Sequence, residues 1–274
     1  MACGIRAWHW LSLDAVTALI CYQWAVQKAA GVSLPWWVPL MLGGGIWCGY
    51  AADRLLDVAR DPERAATSAR HAFHQRHERS LSLIWIGAAG SLFVVGWLHL
   101  PPAAFFGGGI VALAAAVYVW CSTRRSDRKR VPYWRWKKRI GTVAVLSIAG
   151  GWWMIWRPPT NPLAAAAMVA IFALAAWWSL SLMHHHLVAP LGWYRYSMIG
   201  CALTIPILAA CTFDKAAVSL PVTLMVGLML LASPALDFWE RSKGSTTLRS
   251  RDSLVPPLID GGLSLVFLLF ALTL

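Results

Sequence analysis

The chain has 274 residues, of which 58% are hydrophobic and 13% are charged, and its formal net charge is +12 at pH 7. A soluble globular protein carries roughly 25% charged residues, so this composition excludes that class and predicts an integral membrane protein. The 6 cysteines form no CxxC pair, so they indicate neither a disulfide framework nor a cysteine-rich metal site.

Apolar runs recur along the chain, each close to the ~20 residues that a helix needs to cross a ~30 Å hydrocarbon core. We predict an all-α polytopic membrane protein with about nine transmembrane helices, forming one domain over residues 1–274. The predicted spans cover residues 8–27, 35–56, 80–99, 103–121, 139–157, 163–183, 193–212, 217–238 and 255–273. Barrel strands are excluded because they would be about half as long and would alternate in polarity.

The basic residues are distributed unevenly between the two sides of the predicted bundle. All Lys and Arg residues fall on one side, except Lys28, Arg157 and Lys215. The positive-inside rule therefore predicts a cytoplasmic N-terminus, an external C-terminus and a multi-pass location in the inner (cytoplasmic) membrane. The same distribution accounts for the net charge without nucleic acid, and it leaves membrane lipid or an anionic substrate as the partner.

The second predicted span ends in GYAADRLLDVARDP, residues 49–62, which carries three aspartates. Asp53, Asp57 and Asp61 are spaced by four residues, so they are expected along one side of a helix. The proline at position 62 disfavours helical geometry at Asp61, which makes this carboxylate the least firmly placed. Two neighbouring carboxylates repel each other, so the motif predicts a positively charged partner.

Two kinds of partner suit this motif. The first is an ion-pair network with nearby arginines, namely Arg54, Arg60 and Arg64. The second is Mg²⁺, which binds through one or two carboxylates together with substrate phosphates and water. Acidic residues near a membrane are costly and are usually functional, which favours the metal.

These features resemble the UbiA superfamily of intramembrane prenyltransferases. In that family the second helix ends in a motif of the form NDxxDxxxD. Here the aligned stretch reads GYAADRLLD, in which Asp53 and Asp57 match the last two aspartates and Arg54 matches an arginine common in the family. The family also has a proline followed by basic residues before the fifth helix. That segment here is VPYWRWKKRIG, with Pro132, Arg135, Lys137, Lys138 and Gly141.

The resemblance implies a reaction and a set of site residues. The reaction is the transfer of an isoprenoid group from a prenyl diphosphate to a lipid-soluble or aromatic acceptor. Asp53 and Asp57 would be catalytic and would hold Mg²⁺, with Asp61 as a further metal ligand. The diphosphate-binding residues would be Arg54, Arg135, Lys137 and Lys138.

The sequence departs from the family pattern in two places. Gly49 and Tyr50 stand where the family has its leading Asn-Asp pair. The sixth span ends in SLSLMHHHLVAPLGWYRYSM, so His184, His185 and His186 occupy the place of the second aspartate motif. The alternative is therefore a non-catalytic, UbiA-like subunit of a membrane complex, structural or quinone- or lipid-binding, with partner subunits.

Two further patterns suggest other functions. His71, His74 and His77 form HxxHxxH, which is compatible with zinc or haem. Three-residue steps drift around a helix axis, so the run RHAFHQRHER is better interpreted as a basic amphipathic helix on the membrane surface. Asp14 lies within the first span and is a candidate ion site of a transporter.

Overall fold

A computed structural model describes residues 8–60, 69–124, 131–187 and 255–274, with isolated residues between 201 and 228. For residues 69–70, 121–124, 131–139, 181–187 and 255–261 it describes the backbone alone. The elements are α1 (Leu13–Ala29), α2 (Trp37–Arg60), α3 (Ala69–Arg76), α4 (Glu78–His99), α5 (Pro102–Arg124), α6 (Val131–Gly151), a 3-10 helix (Trp152–Ile155), α7 (Pro162–Leu187) and α8 (Val255–Thr273). Over these residues the protein is all-α, as predicted.

Three helices in the described part of the chain are long and apolar enough to cross a membrane. They are Glu78–His99, Pro102–Trp120 and Pro162–Leu180, and they coincide with the third, fourth and sixth predicted spans. α8 also matches the ninth predicted span, 255–273. The seventh and eighth predicted spans, 193–212 and 217–238, lie largely outside the described residues. The total of nine spans and the orientation stay predictions.

The surroundings of α4 and α5 also indicate a membrane protein. Only 11% of the apolar window of α4 and 6% of that of α5 are buried inside the protein. Soluble monomers rarely expose contiguous apolar patches of more than a few hundred Å². Side chains such as Phe93 and Trp97 on α4 and Ile110 on α5 are exposed, and hydrocarbon is the solvent that suits them.

The chain divides into two compact units, of which the first comprises residues 1–20 and 34–158. In this unit α2 packs against α3, α4 and α5, and α5 packs against α6 and the 3-10 helix. The α2–α4 contact is fixed by Trp85, whose indole Nε1 donates to the carbonyl of Cys48 at 2.8 Å. Gly44 brings α2 close to Leu92 of α4. α2 is therefore the central element of this unit.

The second unit comprises residues 21–33 and 159–274. Its described core joins α1, α7 and α8 through three aromatic rings. Tyr22 stacks on Phe172 with ring centroids 3.7 Å apart, and Phe267 meets Tyr22 edge-on at 5.7 Å. α7 begins at Pro162, where a missing N–H has no consequence, and Asn161 Oδ1 accepts the backbone N–H of Ala164 at 3.1 Å as an N-cap.

Candidate functional site

The last two turns of α2 hold an arginine between two aspartates. Arg54 Nη1 lies 3.5 Å from Asp53 Oδ2 and 3.6 Å from Asp57 Oδ2. The Asp53 and Arg54 side chains are 14% and 16% exposed, whereas Asp57 is 37% exposed. Because the guanidinium is long, it reaches both carboxylates although adjacent helical residues do not face each other. One positive charge thus offsets part of the repulsion between the two acids.

α3 adds a histidine to the same group. His71 Nε2 lies 3.5 Å from Asp57 Oδ2 and 3.5 Å from Arg54 Nη1. With the Arg54–Asp57 contact, these three atoms form a triangle with sides of 3.5–3.6 Å. We call Asp53, Arg54, Asp57 and His71 the ionic cluster. It lies at the end of α2 that is predicted to face the cytoplasm.

Two nitrogen atoms of the ionic cluster have no hydrogen-bond partner among the residues that the structure describes. Arg54 Nε and His71 Nδ1 are buried and make no hydrogen bond to the described part of the chain. A buried polar group without a partner costs about 1–3 kcal/mol, so such atoms in a native structure require an explanation. The guanidinium Nε–H can only donate, so at least one of the two positions suits an acceptor oxygen.

α5 and α6 contribute a second pair of polar residues beside the cluster. The hydroxyls of Tyr118 and Thr142 share a hydrogen bond of 3.0 Å, in which either can donate. The Tyr118 ring lies against Gly141, where a Cβ would meet Cε2 at 2.5 Å. The Asp53 carboxylate is close enough for its charge to act on the Tyr118 phenol. The pair therefore lies within electrostatic range of the Asp53 carboxylate.

A strip of open space leads away from the cluster along α2. Gly45, Gly49 and Asp53 are four residues apart and so lie along one side of the helix. A Cβ added at Gly45 or at Gly49 would meet no atom within 4 Å. Gly45 is exposed and Gly49 is half-buried, so this side of α2 is open at both positions between the ionic cluster and the middle of the helix. We call Gly45 and Gly49 the glycine strip.

Arg60 contacts an aromatic ring of the neighbouring helix α5. Its guanidinium Cζ lies 4.9 Å from the ring centroid of Trp120 in a cation–π contact between α2 and α5. Of the arginines proposed to neutralise the aspartates, Arg54 contacts both Asp53 and Asp57. Arg64 and Asp61 lie outside the described residues.

The basic residues predicted to bind diphosphate are placed only by their backbone. Arg135, Lys137 and Lys138 lie in the first half of α6, N-terminal to Thr142. Their side chains are outside the described set, as are those of His184, His185 and His186 near the end of α7. The predictions for these six residues therefore stay predictions.

The donor set for Mg²⁺ is small. Within the described residues, no group of three or more His, Cys, Asp or Glu side chains is arranged to hold a metal ion. Two carboxylates suit Mg²⁺ when substrate phosphates and water complete the octahedron. Asp53 and Asp57 thus fit an ion that arrives with a phosphorylated substrate, and they do not form a complete protein site.

Two other sequence patterns find structural explanations. Asp14 is buried and pairs with His9 Nδ1, which gives this carboxylate a partner within its own unit. In the HxxHxxH motif, His71 joins the ionic cluster, His74 is buried and His77 is exposed beside the Phe73 ring. Sequence reasoning placed all three on a helix but missed the contact of His71 with Asp57. The signal available was a histidine-bearing amphipathic run directly after the aspartate motif.

A comparison with protein-family models, curated proteins and solved structures finds no match for this chain.

Proposed function

We propose that this chain is an intramembrane prenyltransferase-like enzyme of the inner membrane, with about nine spans, a UbiA-like bundle and a cytoplasmic N-terminus. It transfers an isoprenoid group from a prenyl diphosphate to a lipid-soluble or aromatic acceptor. The ionic cluster receives the diphosphate, and the cytoplasmic side supplies the substrate.

The observation that carries this proposal is the continuity of the ionic cluster with the glycine strip. A prenyl diphosphate has a highly charged head and an apolar tail. The strip at Gly45 and Gly49 ends at Asp53, so one face of α2 offers both environments in series. A small soluble anion would need the charged end alone.

The reaction requires cleavage of the allylic C–O bond, and the bonding electron pair leaves with the diphosphate. An electron pair of the acceptor then forms the new bond to the allylic carbon, and the acceptor releases a proton. Asp53 and Asp57 would hold Mg²⁺, which supplies Lewis-acid stabilisation of the leaving diphosphate. Arg54 donates hydrogen bonds to phosphate oxygens, which stabilises the charge that develops on the leaving group. Apolar walls exclude water from the allylic cation.

The test is pyrophosphate release by the purified protein in nanodiscs. Allylic prenyl diphosphates of several lengths are supplied with phenolic and quinone-precursor acceptors. Asp53→Asn and Asp57→Asn keep the side-chain shape and remove the charge, and we expect each to lower turnover by about 100-fold or more. Glu78→Gln is the matched control, because Glu78 is an exposed acid in the first turn of α4. Wild-type turnover in both aspartate variants would contradict the proposal.

A non-catalytic subunit of a membrane complex is the second candidate function. It is favoured by Arg54, which lies within 3.6 Å of both carboxylates and gives them a structural partner. Extraction with a gentle detergent should then yield a stable larger complex, and the isolated chain should release no pyrophosphate. A chain that purifies alone and consumes prenyl diphosphate would rule this function out.

A further inference from the structure

The ionic cluster contains a histidine whose position has a chemical meaning beyond its contact with Asp57. His71 approaches the cluster with Nε2, and its other ring nitrogen, Nδ1, is buried and has no partner among the described residues. The two ring nitrogens therefore have different roles. Nε2 contacts the protein, and Nδ1 is available to a ligand.

The contacts of Nε2 determine what Nδ1 can do. Arg54 Nη1 can only donate, so a hydrogen bond from it requires His71 Nε2 to accept, and the ring proton is then on Nδ1. In this tautomer His71 Nδ1–H is a hydrogen-bond donor. The other neutral tautomer would direct Nε2–H at Asp57 Oδ2 and leave Nδ1 as an acceptor, so a donor at Nδ1 requires the ring that accepts from Arg54.

Arg54 presents a second donor next to it. Its Nε–H is buried and has no acceptor within the described part of the chain, while Nη1 of the same guanidinium lies 3.5 Å from His71 Nε2. Each orphan nitrogen is two covalent bonds from an atom of this contact, so both belong to one small cluster. Hydrogen bonds from a charged donor to phosphate oxygens are about twice as strong as neutral ones. Two adjacent donors, one of them on a guanidinium, therefore suit a phosphate group.

We infer that His71 Nδ1–H and Arg54 Nε–H form a donor pair that binds the phosphate oxygens of a phosphorylated ligand. His71 thereby becomes a substrate-binding residue contributed by α3. The identity of the ligand as a prenyl diphosphate rests on the proposed function, whereas the binding of phosphate oxygens does not.

The three histidines of HxxHxxH provide an internal comparison. His74 is buried and packs edge-on against the Phe73 ring, with centroids 5.7 Å apart. His77 is exposed and lies 4.7 Å from the same ring. Among the described residues His77 is seen against Phe73 and not in the ionic cluster, so it is the matched control on the same motif.

The test uses the different shapes of two amides. In Asn the amide nitrogen can occupy the position of His Nδ1, whereas in Gln it reaches the position of Nε2. Binding of inorganic pyrophosphate is measured by calorimetry on the full-length protein in detergent, in Mg²⁺ and in EDTA. We expect His71→Asn to bind within about threefold of wild type, and His71→Gln and His71→Ala to bind about tenfold or more weakly. Arg54→Lys, which keeps the charge and lacks Nε–H, should also weaken binding.

Variants of His77 are the controls for the His71 variants. His77→Asn and His77→Gln should bind as wild type, and the thermal midpoint of every variant shows whether it is folded. If His71→Gln binds as wild type and His71→Asn does not, His71 acts through Nε2 as a structural residue and the inference is wrong. Absence of pyrophosphate binding in the wild-type protein would also overturn it.

A competition experiment between prenyl diphosphate and pyrophosphate shows whether the donor pair binds a lipid head group or a free anion. A prenyl diphosphate that binds more tightly than pyrophosphate assigns the donor pair to a lipid head, and equal affinity assigns it to the free anion; both support the donor pair. The turnover assay reports on the proposed function separately. If pyrophosphate binding depends on His71 but the protein has no turnover, this inference is retained and the proposed enzyme is rejected. If turnover is unchanged in the His71 variants, the enzyme is retained and this inference is rejected.

Discussion

Tyr118 and Tyr22 show at the level of single residues how the surroundings decide the contribution of a hydroxyl. The Tyr118 hydroxyl shares a hydrogen bond of 3.0 Å with Thr142. The Tyr22 hydroxyl is buried and has no hydrogen-bond partner in the described part of the chain. Both rings are held by packing, Tyr118 against Gly141 and Tyr22 against Phe172. Removing the two hydroxyls should therefore have opposite effects.

We expect Tyr118→Phe to lower the thermal midpoint, because it removes a hydrogen bond worth about 1 kcal/mol. Tyr22→Phe should raise the midpoint, because it removes a buried polar atom whose desolvation is uncompensated. Thermal unfolding of both variants in one detergent measures the difference directly. An equal drop for Tyr22→Phe would show that its hydroxyl has a bound partner.

The sequence predicted part of the ionic cluster, and the reason for the limit is geometric. The spacing of Asp53 and Asp57 indicated one face of a helix, because helical periodicity is a local property. The contact of His71 with Asp57 joins different helices, so it depends on the path of the chain between them. The same holds for Tyr118 and Thr142, which no motif singled out.

At the scale of elements, the end of α1 is set by one glycine. Gly31 has φ of +65°, and the bonds Val32 N–H to Gln27 O and Gly31 N–H to Lys28 O, each 3.0 Å, form a Schellman motif. Thr160 Oγ1 donates to the carbonyl of Ala30 at 2.9 Å and lies where a Cβ of residue 31 would be. This glycine thus serves both the helix end and the loop before α7.

Gly31→Ala should destabilise the protein by about 1–2 kcal/mol, because an L-residue disfavours this backbone conformation and its Cβ clashes with Thr160. Gly45→Ala is the control. It lies inside α2 with no neighbour within 4 Å, so alanine should be neutral or stabilise by up to about 1 kcal/mol. Thermal midpoints in detergent compare the two. A larger loss for Gly45→Ala would mean that the strip on α2 is filled.

The elements also show which sequence signals determine helix ends. The predicted spans 80–99, 103–121 and 255–273 agree closely with α4, α5 and α8, because their apolar runs have sharp borders. The predicted span 139–157 differs: α6 begins earlier, at Val131, and gives way to a 3-10 helix at Trp152. The basic residues before position 139 hid the helix start from a hydropathy criterion, although Pro132 suits a first turn.

At the scale of the whole molecule, the apolar surface of α4 and α5 and the charge of the ionic cluster together indicate where the bilayer lies. The windows of α4 and α5 are 11% and 6% buried, so their apolar side chains require hydrocarbon around them. The ionic cluster at the end of α2 requires the opposite environment, since ions in hydrocarbon are costly. A bilayer with one of its surfaces near Asp57 satisfies both, and the distribution of basic residues predicts that this surface is the cytoplasmic one.

This orientation is testable with reporters placed at two points in the chain. Nine spans and a cytoplasmic N-terminus put Leu274 outside and residue 124 inside, because the Arg- and Lys-rich segment 122–138 is predicted to stay cytoplasmic. Alkaline phosphatase, which is active only outside, should be active after Leu274 and inactive after residue 124. Green fluorescent protein should show the reverse pattern at the same two positions. Phosphatase activity at residue 124 would invert the bundle and move the ionic cluster to the external face. A fluorescent C-terminus with residue 124 still inside would mean an even number of crossings after residue 124, so that the count of five predicted spans in that part of the chain is wrong.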